Sequence, residues 1–301
     1  MHSLVATNGK GLICVIASAV LFGCMPLGAR IVYAGGCNAT TLVLLRTLLA
    51  LPWLFWLMRR FDPPTPRLSP RDVVRLVLLG GTGMAVTPAL LYSAYHYIPS
   101  GTATTIHFVY PVFVLLGCVL FLHDQLTLVK GLCVLLCSGG ILLFYTPGAA
   151  GGLTGLALAF LSGITFALYI IFLDHAGLPR MGPFTLSFYT TAAAAGLMLI
   201  GTPVSGQLAL PRTLLSWIAV SIFALIFSVA ASVLFQVGIH LVGAQSAAIL
   251  STFEPITSVA VGVLVFSEPF TLKTAGGVLL ILAAVLLLTT ASRTSPPSSD
   301  D

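Results

Sequence analysis

Ten stretches of about 20 mostly apolar residues follow one another along this chain, and they restrict its fold more than any other feature. A helix of about 20 apolar residues is long enough to cross the hydrocarbon core of a bilayer. Only 7% of the 301 residues are charged and 58% are hydrophobic, whereas a soluble domain has about 25% charged residues. We therefore predict an all-α polytopic membrane protein with ten transmembrane helices. The predicted spans are at about 11–33, 38–58, 72–95, 101–121, 127–145, 153–173, 183–201, 214–237, 245–266 and 271–290.

The placement of Lys and Arg predicts how these spans are oriented. The loop at 59–75 contains five arginines. Because cytoplasmic loops are enriched in Lys and Arg, this loop is expected in the cytoplasm, together with both chain termini. We predict a multi-pass protein of the cell (inner) membrane with a disordered cytoplasmic tail at 292–301. The basic residues lie mostly in loops and form no folded patch, which argues against a nucleic-acid partner.

The chain matches itself at a constant offset of 144 residues, which aligns Pro111 with Pro255. The match predicts two five-helix repeats, the first at 1–146 and the second at 147–291. Because five is an odd number, the two repeats cross the membrane in opposite senses. Inverted repeats are typical of secondary transporters, in which the site lies near mid-membrane between the repeats and beside interrupted helices.

Three stretches of the chain resemble the EamA-type members of the drug/metabolite transporter superfamily. They are LLRTLLAL around Arg46, ALLYSAYHYIPSGTATTIHFVYPVFVLLGCVLFLHDQLTL in the first half and LFQVGIHLVGAQSAAILSTFEPITSVAVGVLVFSEPFTL in the second half. The acidic motif of that family matches Glu268, and it is altered in the first half, where HDQ stands at 123–125. The resemblance covers about 11–290. It implies a ten-helix carrier with a central cavity, which moves small organic solutes such as amino acids, nucleotide-related metabolites, cofactors or cationic drugs.

Glu254 lies near the middle of the ninth span, directly before Pro255. A carboxylate at that depth is costly, so it must bind a proton, pair with a cation or be hydrated in a cavity. Proline removes a backbone hydrogen bond and is expected to free the carbonyl of Ser251, four residues earlier. Glu254 is therefore either a site for a substrate amine or a proton, or a structural carboxylate. We predict that Pro255 and its counterpart Pro111 act as hinges.

Arg46 is the second charge at mid-membrane depth. It either binds a substrate carboxylate or serves as a fixed structural cation, and a pair between Arg46 and Glu254 is left open. His107 and Tyr110 lie three residues apart and therefore on one face of the fourth span. They suit recognition of a polar or aromatic substrate, or alternatively form buried hydrogen bonds that hold helices together. The other polar side chains predicted to line the site are Tyr92, Tyr169 and Gln236.

Two acidic residues at the ends of spans four and nine have a different predicted role. Asp124 and Glu268 are expected to cap the helices that begin at Thr127 and Thr271. The six cysteines lie mostly in apolar segments and lack the spacing of metal ligands. We therefore predict neither a metal nor a cofactor.

No sequence motif for catalysis or nucleotide binding is apparent, so we predict no catalytic residue. The sequence favours a secondary transporter, an exporter or exchanger of small organic metabolites such as amino acids, that works by alternating access. Its partners would be the small-molecule substrate and the lipid bilayer. A flippase for lipids or prenyl carriers is the alternative, and an intramembrane enzyme is disfavoured. Proton coupling through Glu254 or His107 is left open, as is the choice between monomer and homodimer.

Overall fold

The computed structural model describes residues 2–64, 67–121, 127–144, 151–175, 178, 181–242, 247 and 250–291. These residues form helices and the turns between them, and no β-strand occurs among them. By length and composition, seven of the described helices can cross a membrane, and three shorter apolar helices accompany them. The prediction of an all-α polytopic membrane protein is confirmed.

Each predicted span corresponds to a helical unit, and we number these units α1 to α10 in chain order. Four units are interrupted or contain a wider, π-helical turn. The bounds are α1 (His2–Gly23 and Met25–Ala34), α2 (Ala39–Phe61), α3 (Pro70–Leu79, the π-helical Gly80–Val86 and Thr87–Ala94), α4 (Ser100–His107 and Tyr110–Phe121), α5 (Leu128–Phe144), α6 (Gly152–His175), α7 (Pro183–Val204), α8 (Leu214–Phe223, the π-helical Ala224–Ala230 and Ala231–Val242), α9 (Phe253–Phe266) and α10 (Leu272–Ala291).

Local sequence explains where several helices begin and end. At the start of α3, Ser69 and Asp72 each accept a hydrogen bond from the backbone N–H of the other, which is a capping box. At the start of α2, the side chain of Asn38 accepts a hydrogen bond from the N–H of Thr41. Helix α9 ends at Ser267, whose φ of 54° lies in the left-handed region that commonly terminates helices.

The 144-residue offset also relates the irregular parts of the backbone. The π-helical segments Gly80–Val86 and Ala224–Ala230 are related by this offset at both boundaries. Helix α4 is interrupted by a turn at 108–109, and the chain makes a turn at 251–252 immediately before α9. The two halves of the chain therefore share irregularities as well as helices, as expected of two copies of one five-helix unit.

The backbone before α9 differs from the prediction in one respect. We expected Pro255 to leave the carbonyl of Ser251 without a partner, and this expectation is wrong. The N–H of Glu254 donates to the carbonyl oxygen of Ser251 at 2.9 Å. The chain therefore makes a tighter turn here. The hydrogen bond from Glu254 to the residue three positions earlier replaces the bond that proline removes.

Helices of the two halves pack against each other in corresponding pairs. Helix α1 packs on α8 and α9, and its counterpart α6 packs on α3 and α4. In addition, α2 packs on α7, α4 on α9 and α5 on α10. The first helix of each half therefore covers the interrupted helix of the other half.

Glycines permit the closest of these contacts. A Cβ atom placed on Gly23 of α1 would lie 2.6 Å from the carbonyl oxygen of Glu254 in α9. A Cβ atom placed on Gly163 of α6 would lie 3.1 Å from the carbonyl oxygen of His107 in α4. Small residues at such positions let the backbones of membrane helices approach closely. Both close approaches lie beside a turn, at 108–109 within α4 or at 251–252 directly before α9.

Candidate functional site

Arg46 of α2 is held by a tyrosine of α3. Its Nη1 donates a hydrogen bond to the hydroxyl of Tyr92, which in turn lies 2.9 Å from the sulfur of Met25 in α1. The Tyr92 side chain is completely buried. Within the described ranges Arg46 forms no ion pair, and its buried Nε has no hydrogen-bond partner. The Nε–H group of Arg46 therefore needs a hydrogen-bond acceptor, and none of the described residues provides one.

Glu254, in the first turn of α9, acts electrostatically on the same tyrosine. Its carboxylate interacts electrostatically with the hydroxyls of Tyr92, Tyr95 and Tyr110. Among the residues that the structure describes, neither of the two ion pairs involves Glu254. Arg46 and Glu254 therefore do not form the pair that the sequence left open. Arg46 is hydrogen-bonded to the Tyr92 hydroxyl and Glu254 acts on the same tyrosine electrostatically, and neither charge has a charged partner among the described residues.

His107 lies beside aromatic rings of α4 and α6. The centroid of its ring is 5.9 Å from that of Tyr110 and 5.5 Å from that of Phe166. Phe166 also stacks on Tyr169, with 5.7 Å between the centroids. We call these four residues, His107, Tyr110, Phe166 and Tyr169, the aromatic wall. It combines one imidazole, two phenol groups and one phenyl ring in contact with one another.

These contacts connect six of the seven residues that the sequence proposed for the site. Gln236 of α8 is the exception. Its Nε2 donates to the hydroxyl of Ser187 in α7 at 2.8 Å, and its buried Oε1 has no partner among the described residues. Gln236 therefore joins α8 to α7. The connected residues are Arg46, Tyr92, Glu254, Tyr110, His107 and Tyr169.

The two prolines lie where helices restart. Pro111 is the second residue of the helix Tyr110–Phe121, and Pro255 is the third residue of α9. Proline fits the first turn of a helix, because an N–H at that point has no intrahelical acceptor. Each proline thus begins a helix directly after a turn, beside a residue of the candidate site.

Glu268 does not occupy the position that we predicted for it. We expected it to cap the helix that begins near Thr271, but the hydroxyl of Thr271 itself accepts from the N–H of Thr274 at 3.2 Å. That prediction is wrong, because the threonine hydroxyl is close enough to cap its own helix. Asp124, with the corresponding predicted role in the first half, lies outside the described residues.

Glu268 instead joins α9 to the first half of the chain. Its Oε1 accepts hydrogen bonds from both the backbone N–H and the hydroxyl of Ser100, each at 3.0 Å, and thereby caps α4. The same oxygen is 2.6 Å from Nη2 of Arg30 in α1. The Arg30 guanidinium also lies over the ring of Phe266, 3.9 Å from its centroid. This contact ties together the ends of α1, α4 and α9 on one side of the molecule.

Comparison with protein families gives two matches to one family. The model of the EamA-like transporter family matches residues 9–146 and 153–290. The chain belongs to the EamA-like transporter family. The resemblance inferred from sequence motifs is confirmed.

Related proteins agree with the assignment to EamA-like transporters. A protein of Synechocystis sp. named an uncharacterized transporter is 30% identical over 306 residues, which cover 90% of each chain. A protein of Archaeoglobus fulgidus named an uncharacterized transporter is 26% identical over 212 residues, which cover 70% of this chain and 75% of the relative. This EamA-like protein is therefore a multi-pass membrane transporter, and not an enzyme.

A solved structure supports the fold of this EamA-like transporter. A crystal structure superimposes on it with a TM-score of 0.62, covering 95% of this chain and 98% of the other. The sequence identity is 14%, so this likeness concerns the fold alone.

Proposed function

We propose that this EamA-like transporter is a secondary transporter, an exporter or exchanger, of small organic metabolites such as amino acids. The observation that carries the proposal is that Arg46 and Glu254 both act on Tyr92, Arg46 by a hydrogen bond and Glu254 electrostatically, and do not pair with each other. An unpaired charge inside a membrane protein is costly, and residues of this kind commonly serve binding or transport. A solute that carries both a carboxylate and an ammonium group would supply a partner to each.

The remaining connected residues have distinct proposed roles. Tyr92 is completely buried, so its role is to orient the Arg46 guanidinium through their hydrogen bond. The aromatic wall contacts the side chain of the solute. We place Gln236 outside the solute site, because its amide bonds to Ser187 of α7.

The packing of the two halves supports alternating access as the proposed mechanism. Helices α4 and α9 contact each other, and each is covered by the first helix of the opposite half. A rocking motion of one half against the other moves both interrupted helices relative to a solute bound between them. Pro111 and Pro255 are the proposed hinges, since each lies in the first turn of a helix that follows a turn at which the chain can change direction.

The proposed location is the cell (inner) membrane, with both termini in the cytoplasm. Arg59 and Arg60 are exposed at the end of α2, and this density of positive charge is typical of a cytoplasmic loop. Reporters fused to the C-terminus test the orientation. A reporter that is active only outside the cytoplasm is expected to be silent, and its activity would reverse the proposed orientation.

The proposed function is tested by exchange in liposomes that contain the purified protein. Wild-type protein is expected to exchange radiolabelled amino acids across the bilayer, and Glu254→Gln to lower the rate at least tenfold. Lys273→Gln is the control, because it removes an exposed charge in the first turn of α10. If wild-type protein exchanges no amino acid, amine or organic acid but moves a labelled lipid between leaflets, the flippase alternative replaces this proposal.

A further inference from the structure

Ser162 of α6 stands between a backbone carbonyl and the ring of His107. The serine is completely buried. Its Oγ lies 2.6 Å from the carbonyl oxygen of Ala159 and 2.9 Å from Nδ1 of His107. A serine hydroxyl has one proton and can donate only one hydrogen bond. At 2.6 Å two oxygens without a proton between them would repel, so the hydroxyl donates to Ala159.

The direction of the bond from Ser162 to Ala159 determines the direction of the bond between Ser162 and His107. Because the Ser162 proton is used on Ala159, the serine oxygen is the acceptor for His107, and Nδ1 carries a proton. The rings closest to His107 are those of Tyr110 and Phe166, and neither supplies a negative charge. A buried charge without a partner is far more costly than a neutral group, so the imidazole is neutral and has a single proton. Its Nε2 is therefore a bare acceptor.

That acceptor has no partner within the described part of the chain. His107 is only 7% exposed, and the hydrogen bond to Ser162 involves the other ring nitrogen. Nε2 is not among the buried polar atoms that lack a partner, so it lies at the small exposed part of the ring, where a donor from outside the described residues can reach it. Its place in the aromatic wall, next to Tyr110, makes a bound solute that donor.

We propose that Ser162 is a positioning residue, which fixes His107 in the Nδ1–H tautomer and so reserves Nε2 to accept a hydrogen bond from the solute. The solute part of this inference rests on the proposed function, whereas the tautomer does not. The aromatic wall then selects solutes whose side chain combines an apolar ring or chain with an N–H or O–H donor. A site built to receive a donor rejects analogues that lack one, because its own acceptor is left unpaired.

The repeat supplies a matched control. Ser18 of α1 precedes Ser162 by the 144-residue offset and is also completely buried. Its hydroxyl donates to the carbonyl oxygen of Ala231 at 2.7 Å. The residue that corresponds to His107 in the second half is Ser251, so Ser18 bonds to a backbone carbonyl, here one of α8, and has no imidazole partner among the described residues. Both Ser18→Ala and Ser162→Ala remove a buried serine hydroxyl that donates to a backbone carbonyl. Only Ser162→Ala also removes the hydrogen-bond partner of a histidine.

The tautomer is measured by nitrogen-15 NMR on the full chain in lipid, with labelled histidine and no solute. The His107 signals are assigned by their loss in His107→Asn. We expect a protonated Nδ1 and an unprotonated Nε2 in wild type and in Ser18→Ala. In Ser162→Ala the proton is expected to move towards Nε2, because Nδ1–H has lost its acceptor. A protonated Nε2 in wild type, or an unchanged spectrum in Ser162→Ala, would overturn the proposal.

Selection by the donor is measured with tryptophan and 1-methyltryptophan, which differ in the indole N–H. Wild type and Ser18→Ala are expected to bind tryptophan about tenfold more tightly, which corresponds to about 1.4 kcal/mol. Ser162→Ala should bind the two probes almost equally, and Ser162→Thr should restore the preference because it keeps the hydroxyl. If wild type binds tryptophan and 1-methyltryptophan equally, or binds neither, the proposal that the site selects solutes with a hydrogen-bond donor is wrong. The NMR result distinguishes that failure from a failure of the tautomer assignment.

Discussion

The guanidinium of Arg46 donates a hydrogen bond to the hydroxyl of Tyr92, and this bond joins α2 to α3 in the interior of the protein. The same hydroxyl contacts the sulfur of Met25 at 2.9 Å, so it also connects both helices to α1. A tyrosine thus holds a membrane-embedded cation in place without neutralising it. Arg46 consequently keeps its charge, as the proposed contact with a solute carboxylate requires.

Removal of this hydroxyl is expected to destabilise the protein. Tyr92→Phe leaves the guanidinium without its described partner, and a lost hydrogen bond to a charged group costs about 1.5–3 kcal/mol. Tyr33→Phe is the control, because its hydroxyl donates to a neutral acceptor, the carbonyl oxygen of Tyr92, at 3.1 Å. Thermal unfolding in detergent should show the larger loss for Tyr92→Phe. Equal losses would mean that the tyrosine does not hold Arg46.

A second prediction concerns the contact between α1 and α9. In Gly23→Ala the new Cβ would lie 2.5 Å from the Cβ of Thr257 and 2.6 Å from the backbone oxygen of Glu254. Because backbone atoms cannot move aside easily, we expect a loss of about 1–3 kcal/mol in the free energy of unfolding. A matched change, Gly196→Ala in α7, meets nothing within 4 Å. It should be neutral or stabilise by up to about 1 kcal/mol, since alanine favours helices over glycine.

If both glycine variants unfold at the same temperature as wild type, α1 does not approach α9 as closely as the structure indicates. Solute binding by Gly23→Ala gives a second readout. Since Glu254 lies at that contact, a shift of its backbone should weaken binding, whereas Gly196→Ala should bind as wild type does.

A third prediction concerns Glu268. Glu268→Gln removes the charge that pairs with Arg30 and weakens the cap at Ser100. A charged hydrogen bond contributes about 1.5–3 kcal/mol, and we expect a loss of that order in stability. Lys273→Gln, an exposed substitution without a described partner, should change stability by no more than about 0.5 kcal/mol. A Glu268→Gln protein as stable as the Lys273→Gln control would show that this contact does not hold α1, α4 and α9 together.

A fourth prediction separates the hinge prolines from the binding residues. Pro111→Ala and Pro255→Ala restore a backbone N–H and favour a continuous helix across each turn. We expect slower exchange in liposomes with little change in the affinity for the solute. Pro52→Ala is the control, because Pro52 lies inside α2 at an exposed position away from the site. Should all three variants exchange solute at the same rate, Pro111 and Pro255 are not hinges.

Proton coupling is tested with a double variant. Glu254→Gln combined with His107→Gln removes the carboxyl group and the imidazole for which the sequence left proton coupling open. If either group carries the coupling proton, transport by the variant should no longer respond to a pH gradient. A full response in a variant that still transports would assign the coupling to other residues or exclude it.

Sequence patterns predicted much of the fold, because the helices and the repeat leave local traces. The 144-residue offset anticipated that Pro111 and Pro255 would stand beside corresponding interruptions. The π-helical segment Gly80–Val86 was not anticipated, although its counterpart Ala224–Ala230 follows at the same offset. A wider helical turn has no distinct composition in an apolar helix, so sequence gave no sign of it.

The site was harder to predict, because it depends on which helices meet. The sequence singled out Arg46 and Glu254 by their charge, but it could not show that Arg46 is bonded to Tyr92 or that Glu254 acts on the same tyrosine. It assigned Glu268 to the nearest helix, whereas the structure brings Ser100 from the other half to it. Ser162 was overlooked as a functional residue, since a single serine in an apolar helix is common. Its position relative to His107 becomes visible only through the packing of α6 on α4.

The measurement that tests the account most directly is solute-induced thermal stabilisation of the purified wild-type protein and of Glu254→Gln. A solute at one hundred times its Kd stabilises the folded protein by about 2.7 kcal/mol. We predict that solutes with both a carboxylate and an ammonium group stabilise wild type, and that Glu254→Gln largely abolishes the effect. Equal stabilisation of both proteins would contradict the proposed contact between Glu254 and the solute amine.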